Sequence, residues 1–397
     1  MKRSLLALAI FTIACRNEAA APASKFQPRH YDIRLDQLPK PFHTESAGNP
    51  PRVADRPNDT FLAAPPGFRV EVWAGDIENP RNMILAPNGD VFVAQQSANR
   101  IAVFRGGKRY VFTDDVDEPY GLAFRDGYLY IGCAAQIVRF KYAPGQLAAK
   151  GNGQRVFTLP GGGHRTRNIV FSRDGSKLFV AVGSGSNVDD ETDEPLRAAI
   201  TAMNPDGRDA HTFASGLRNP VGLAWNPTTG ALWTAVNERD GLGDDLVPDY
   251  ITDVKAGAFY GWPFSYMGRN IDPRRKGEHP ELVAKAIPPA VPIQSHSASL
   301  GIAFYDGTMF PERYRGGAFV ALHGSWNRTN RTGYKIIHVP FKNGKPTGGY
   351  DDFITGWSPD PSSRSVWGRP GCVLVLRDGS LLVGDDDGNV IWRISYQ

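Results

Sequence analysis

Beyond residue 65 the chain returns six times to one pattern, an apolar run, a turn and a second apolar run. The copies are "NMILAPNGDVFVAQQSANRIAVF", "YGLAFRDGYLYIGCAAQIVRF", "NIVFSRDGSKLFVAV", "VGLAWNPTTGALWTAV", "LGIAFYDGTMF…GGAFVAL" and "CVLVLRDGSLLVGDDDGNVIWRI". Asn88-Gly89, Asp126-Gly127, Asp174-Gly175, Asp306-Gly307 and Asp378-Gly379 supply the positive-φ residues of tight hairpins, and Thr229-Gly230 stands in once. So many strands would expose many sheet edges. Radial closure removes them, so the pattern predicts an all-β chain folded as a six-bladed β-propeller with long loops on one face.

Composition agrees: 43 Gly, 31 Pro and 11% aromatic residues against 22% charged suit short strands and tight turns better than helices. Turn signals alone do not decide topology, so a β-sandwich or two stacked all-β domains is the competing arrangement. Unequal spacing puts the longest insertion at residues 238–298, and loops of that length are usually functional. A net charge of +4 with scattered basic residues argues against a nucleic-acid partner.

At the N-terminus Lys2 and Arg3 precede the apolar "SLLALAIFTIA" and Cys15, a run too short to span a bilayer. "TIAC" resembles a bacterial lipobox, although Thr12 stands where Leu is usual. Residues 1–15 are therefore expected to be a signal peptide with Cys15 lipidated, ordinary secretion being the alternative. Residues 16–60 read as a tether and irregular lead-in, and 61–397 as the propeller. The compartment is then periplasmic or extracellular, an outer-membrane lipoprotein included, with the membrane met only through the lipid. Cys133 and Cys372 sit in apolar runs and read as buried small side chains.

In a propeller the loops entering the innermost strands surround a central channel. Just before the apolar runs stand Pro80-Arg81-Asn82, His164 with Arg167-Asn168, Arg218-Asn219-Pro220, His296 and Gly368-Arg369-Pro370; His323 to Arg328 follow a second run. Any one Arg-Asn pair reads as a loop ion pair or cap. Their recurrence calls for an anion between them, a polycarboxylate or a phosphate. In "GGGHRTRNIVF" the glycines would let backbone approach a flat ligand, and neighbouring cations would keep His164 neutral, able to take a hydroxyl proton. "NERDGLGDDL" reads either as a solvated acidic loop or as a calcium loop using the Asp240 and Gly241 carbonyls with Asp244 or Asp245. "GDDDGN" looks like a hairpin turn. No Walker loop, HExxH, nucleophile elbow, CxxC or dinucleotide fingerprint is present.

Taken together, "GGGHRTRNIVFSRDG", "GLRNPVGLAW", "NERDGLGDDLVPDY", "AGAFYGWP", "HGSWNR" and "GRPGCVLVLRDGSLLVGDDDGNVIWRI" resemble the soluble quinoprotein dehydrogenases, from about Pro65 to the C-terminus. That family includes soluble glucose and aldose sugar dehydrogenases and the sorbosone or pyranose dehydrogenase branch. The resemblance implies a six-bladed propeller binding pyrroloquinoline quinone (PQQ), a flat tricarboxylate, over Ca2+. It implies His164 as catalytic base, Arg218 and Asn219 at the quinone, and Arg369 and Arg328 at its carboxylates. Asp240 and Gly241 would offer carbonyls to calcium with Asp245 near its waters, and His323 and Arg81 would line the substrate side.

The chain departs from the glucose branch at Gly163 and Ser184, where acidic residues are expected, and "CAAQ" in the second repeat is unlike the sorbosone branch. The expectation is oxidation of an aldose or related hydroxy-aldehyde by hydride transfer to the quinone, followed by electron transfer to a periplasmic cytochrome or quinone-linked acceptor. The alternatives are a cofactor-free propeller binding a glycan or protein, and a calcium-dependent lactonase.

Overall fold

In the strand Val91–Gln95 successive side chains go to opposite faces, and both faces are buried. Phe92 and Ala94 pack with Phe112 of their own sheet and with Leu122 and Ile131 of the following one, while Val91 and Val93 pack with Cys372, Leu382 and Ile391 of the preceding one. Every sheet repeats this arrangement. Apolar clusters therefore lie between each neighbouring pair of sheets, around the whole circle. The chain is a six-bladed β-propeller, with five four-stranded blades and one of five strands. The computed structural model describes residues 26–57, 62–188 and 194–397; the expected signal peptide and Cys15 lie outside them.

The innermost strands are Pro80–Leu85, Pro119–Arg125, Ile169–Phe171, Asn219–Trp225, Ser299–Phe304 and Pro370–Val375. Each packs against the next and the last against the first. Phe68–Ala74, from before the first blade, pairs antiparallel with Val390–Tyr396 and completes the sixth, so the ring is closed by hydrogen bonds between the two ends of the propeller.

Five inner strands slip register just after they begin, between Pro80 and Asn82, Pro119 and Gly121, Pro220 and Gly222, Ser299 and Ile302, and Pro370 and Cys372. A bulge leaves a residue unpaired and re-aims its side chain. The residues so released include Arg81, Tyr120, Val221 and Leu300. The last three form one small buried cluster, with the Arg81 guanidinium 5.7 Å from the Tyr120 ring centre.

The turns are more varied than the sequence suggests. Of the six turns expected from the sequence, Asp126-Gly127 alone is a two-residue turn with both residues at positive φ, joining Arg125 to its partner Tyr128. Asp306-Gly307 is not a hairpin turn. The Tyr305 ring folds beneath this loop, its hydroxyl donating to Gly379 O at 2.7 Å, and a Cβ at Gly307 would lie 2.8 Å from that ring. Glycine here admits an aromatic ring, and the chain returns through the 3-10 turn Glu312–Tyr314.

The 238–298 insertion is divided by the strand Pro248–Asp253, the third of its blade. The lead-in also has structure. His30–Tyr31 adds a fifth strand beside Tyr350 and Asp351, and Arg52–Val53 pairs with Ser365 and Val366. Between them the chain crosses the loops after the second strands of the fourth and fifth blades. There Thr44 Oγ1 accepts from the Asp244 amide at 2.8 Å, and Asn49 donates to the Arg328 carbonyl at 3.0 Å.

Candidate active site

Antiparallel alternation puts the loops entering the inner strands on the same face as those joining second to third strands. On that face the loop leading into Ile169–Phe171 is pinned by a fully buried arginine. Arg167 donates to the carbonyls of Pro160 (2.7 Å), Thr166 (2.9 Å) and His164. It serves the loop rather than a ligand.

His164 is held from one side by Ser184. Its amide donates to the Ser184 carbonyl at 3.1 Å, while its Nδ1 lies 3.0 Å from that carbonyl and 3.1 Å from the Ser184 hydroxyl. The hydroxyl proton goes to the Ser186 carbonyl at 2.7 Å. Nδ1 therefore meets two acceptors, carries the ring proton and leaves the lone pair on Nε2. Burial first, then the charge of Arg218, pushes the imidazole down to about 4, so it is neutral at neutral pH. A Cβ at Gly163 (φ 58°) would meet the Ser184 carbonyl at 2.7 Å, so this glycine makes room for the chain that holds the histidine.

His164 lines a cavity of about 370 Å³ with Arg81, Arg165, Thr166, Asn219 and Leu300, within the usual range for ligand sites, roughly 300–1,000 Å³. Gly183 brings His164 and Asn219 together: a Cβ there would lie 2.6 Å from His164 Cβ and 2.3 Å from Asn219 Oδ1. Asn219 Oδ1, Thr166 Oγ1 and Arg81 Nε are buried with no hydrogen-bond partner. Buried polar atoms are seldom left so, and three around one cavity mark a place for a polar ligand.

Across the cavity Arg81 is paired with Asp386, whose carboxylate also receives His323 Nε2 at 2.8 and 2.9 Å. Burial opposes ionisation of Asp386, but His323 and Arg81 outweigh it and hold the carboxyl well below its usual range. Arg369 does not enter this pair. Its guanidinium donates to the carbonyls of His323 (3.0 Å) and Gly324 (3.1 Å).

Arg218 is buried against Trp262, donating to Asn187 O (3.1 Å) and Oδ1 (3.0 Å), with the Asp240 carboxylate 3.6 Å away. Asp240 also receives Asn327 Nδ2 at 2.5 Å, and Asn327 lies 3.0 Å from His296 Nδ1. The Asp240 carbonyl accepts from Arg274 Nη1 at 2.9 Å, and Gly241 packs against the same guanidinium. A cation thus already occupies the carbonyl expected to bind calcium. Asp245 and Arg328 lie elsewhere: they pair with each other at 2.5 Å beside His30 and Tyr31, in a groove separate from the cavity.

Residues 62–255 and 272–396 match the TrAA12-like family. The chain belongs to the TrAA12-like family. An uncharacterized protein of Borreliella burgdorferi is 30% identical to this TrAA12-like chain over 352 residues, 85% of this chain and 91% of that protein. The aldose sugar dehydrogenase of Escherichia coli K12 is 31% identical over 172 residues, 39% of this chain and 44% of its own. The PQQ-dependent pyranose dehydrogenase of Coprinopsis cinerea is 24% identical over 356 residues, 76% of this chain and 47% of its own. The holo PQQ domain of a Coprinopsis cinerea pyranose dehydrogenase superposes with a TM-score of 0.72 at 19% identity, covering 87% of this chain and 99% of that domain. The match thus spans less than half the length of each of the two named dehydrogenases.

Of the expected site residues, this TrAA12-like chain brings His164, Asn219 and Arg81 onto one cavity. His323 reaches it through Asp386, Arg218 stands behind it with Asp240, and Arg369 braces its far side. Sequence reasoning missed Gly183, Thr166, Asp386 and Arg274. Asp386 stood in "GDDDGN", which does form a turn, but one whose acidic side chain folds inward. Ser184 was noticed only as the position lacking an acid; its carbonyl, invisible in a residue name, supplies half of the hold on His164.

Proposed function

We propose that the chain is a quinoprotein dehydrogenase that oxidises an aldose or related hydroxy-aldehyde, with PQQ as cofactor and His164 as general base. The observation that carries the reading is a neutral imidazole, basic at Nε2, on a cavity lined also by Arg81, Thr166 and Asn219, each with an unpartnered buried polar atom. Arg81 Nε and Thr166 Oγ1 can donate to a flat anion, and Asn219 Oδ1 can accept from a hydroxyl or N–H of the same ligand. Asn219, Thr166 and Arg81 would hold it, with Arg369 bracing the wall behind His323. When bound, the quinone supplies an acceptor for hydride.

The protein's own part is to place the sugar and move its proton. His164 Nε2 takes the proton of the anomeric hydroxyl while the carbon-bound hydrogen leaves with its electron pair, so that the sugar becomes a lactone. Ser184 keeps Nδ1 protonated throughout, which preserves the receiving lone pair. His323 and Arg81, locked by Asp386, offer fixed polar contacts on the side where the sugar would lie. The names of the Escherichia coli and Coprinopsis relatives support a sugar as the substrate class. Calcium is left out of this scheme because Arg274 holds the Asp240 carbonyl.

The same reading places the chain in the periplasm or outside the cell, anchored through Cys15, where a cytochrome or quinone-linked acceptor would collect the electrons. Loss of the membrane-bound fraction in Cys15→Ser would support the anchor; an unchanged distribution would remove it. For the activity itself, the purified chain is mixed with PQQ and its absorbance and dye reduction are followed across a panel of aldoses. Stoichiometric binding with sugar-dependent bleaching is expected. A chain that leaves the quinone spectrum unaltered would not be a quinoprotein.

A further inference from the structure

The Asp240–Gly241 segment is built around a guanidinium. Arg274 is clamped by Asp272, whose Oδ1 accepts from the Arg274 amide (3.0 Å) and Nε (2.9 Å) and whose Oδ2 accepts from Nη2 (2.7 Å). Asp272 is 1% exposed and is itself fixed by the fully buried Arg239 at 3.1 Å. So anchored, Arg274 donates from Nη1 to the Asp240 carbonyl at 2.9 Å. Gly241 is at φ +84°, and a Cβ there would stand 3.0 Å from the same Nη1.

Several other oxygens of the segment already face hydrogen-bond donors or a cation. On the Asp240 carboxylate, Oδ1 accepts from Asn327 at 2.5 Å, while Oδ2 has no hydrogen-bond partner and faces the Arg218 guanidinium at 3.6 Å. The Leu242 carbonyl takes the Phe42 amide at 2.9 Å, and the Gly243 carbonyl takes His296 Nε2 at 2.9 Å. Among the described residues no group of three or more His, Cys, Asp or Glu could hold a metal ion. A divalent cation at the Asp240 carbonyl would displace one guanidinium and stand close to another.

We propose that Arg274 replaces a divalent cation in this chain, as a fixed positive charge facing an anionic cofactor, and that cofactor binding does not require calcium. Three of the five N–H groups of Arg274 are used by Asp272 and Asp240. One on each terminal nitrogen remains to donate to an anion. Its side chain is 28% exposed, so these donors are not sealed in the core. The inference rests on the quinone reading given above.

Three measurements on the full-length chain separate the cases. Calcium chloride is titrated calorimetrically into chelator-treated apoprotein. PQQ is then titrated into the wild type with EDTA and with excess calcium, and finally into Arg274→Met after circular dichroism has established its fold. No saturable calcium binding, a wild-type PQQ affinity equal within twofold in the two buffers, and a loss of at least tenfold in Arg274→Met are expected. Stoichiometric calcium binding by the apoprotein, or PQQ binding only with calcium, overturns the proposal, as does unchanged PQQ binding by the variant. PQQ binding in neither buffer instead overturns the quinone reading on which the proposal rests.

Discussion

His164 Nδ1 lies 3.0 Å from the carbonyl oxygen and 3.1 Å from the hydroxyl of the single residue Ser184. A serine with its own backbone thus does the orienting for which the glucose-type pattern suggests a carboxylate. Because the carbonyl persists in Ser184→Ala, the ring proton should stay on Nδ1. Steady-state sugar oxidation is expected to fall only a few-fold in that variant. A thousandfold loss would show that the hydroxyl, and not the backbone, governs the tautomer.

Replacing the base itself is more severe. His164→Gln keeps bulk and polarity but lacks a proton acceptor at Nε2, so turnover should drop by about 10²–10⁴-fold. Quinone binding, read from absorbance, should change by less than threefold. Parallel loss of both would make His164 a binding residue.

Burial and then the charge of Arg218 outweigh the pull of the Asp240 carboxylate and push His164 down to about 4. The acid limb of kcat/KM, which reports the free enzyme, should therefore fall near pH 4 rather than near the ordinary histidine value of about 6.5. A limb at pH 6–7 in the pH–rate profile would contradict this account of the site.

Gly183→Ala tests the closeness of His164 and Asn219 directly. The added methyl would have to displace Asn219 Oδ1, 2.3 Å away, and His164 Cβ, 2.6 Å away. Overpacking of this kind costs about 1–3 kcal/mol. Activity should fall at least tenfold with a modest decrease in Tm; full activity would mean that the two side chains need no fixed spacing.

Stability should carry a histidine signature away from the cavity. His338, 3% exposed between Tyr314 and Phe319, is pushed down to about 4 by burial. Its neutral form is the folded one, so its contribution is complete above the unfolded value of about 6.5 and is lost as pH falls through 4, up to about 3 kcal/mol. Asp249, pushed up to about 7 by burial, acts in the opposite sense. The informative quantity is therefore the difference between wild type and His338→Leu: the wild type should lose Tm relative to the variant as pH falls from about 6.5 to 4, and parallel curves would exclude the assignment.

The blades were legible in the chain because their information is local: alternating apolar runs and Gly-bearing turns specify hairpins, and six such units leave radial closure as the way to cover their edges. Asp306-Gly307 is the exception that shows the limit, since its glycine answers to the Tyr305 ring rather than to a turn. His164, Arg81 and Asn219 were recognisable because each stands at an inner-strand entrance.

What the sequence could not state is what each cation faces. Arg81, Arg167 and Arg218 occupy equivalent positions before asparagine. Yet one is paired with Asp386 at the cavity, one pins its own loop, and one is tied to Asn187 and Asp240. Arg274 reaches Asp240 across 34 residues of chain, and Asp386 reaches Arg81 across 305. By itself the sequence determined the six blades and put His164, Arg81 and Asn219 at inner-strand entrances. Only the tertiary structure decided which backbone carbonyl holds His164, which arginines are already neutralised and which cation sits at Asp240, because those partners meet only once the ring has closed.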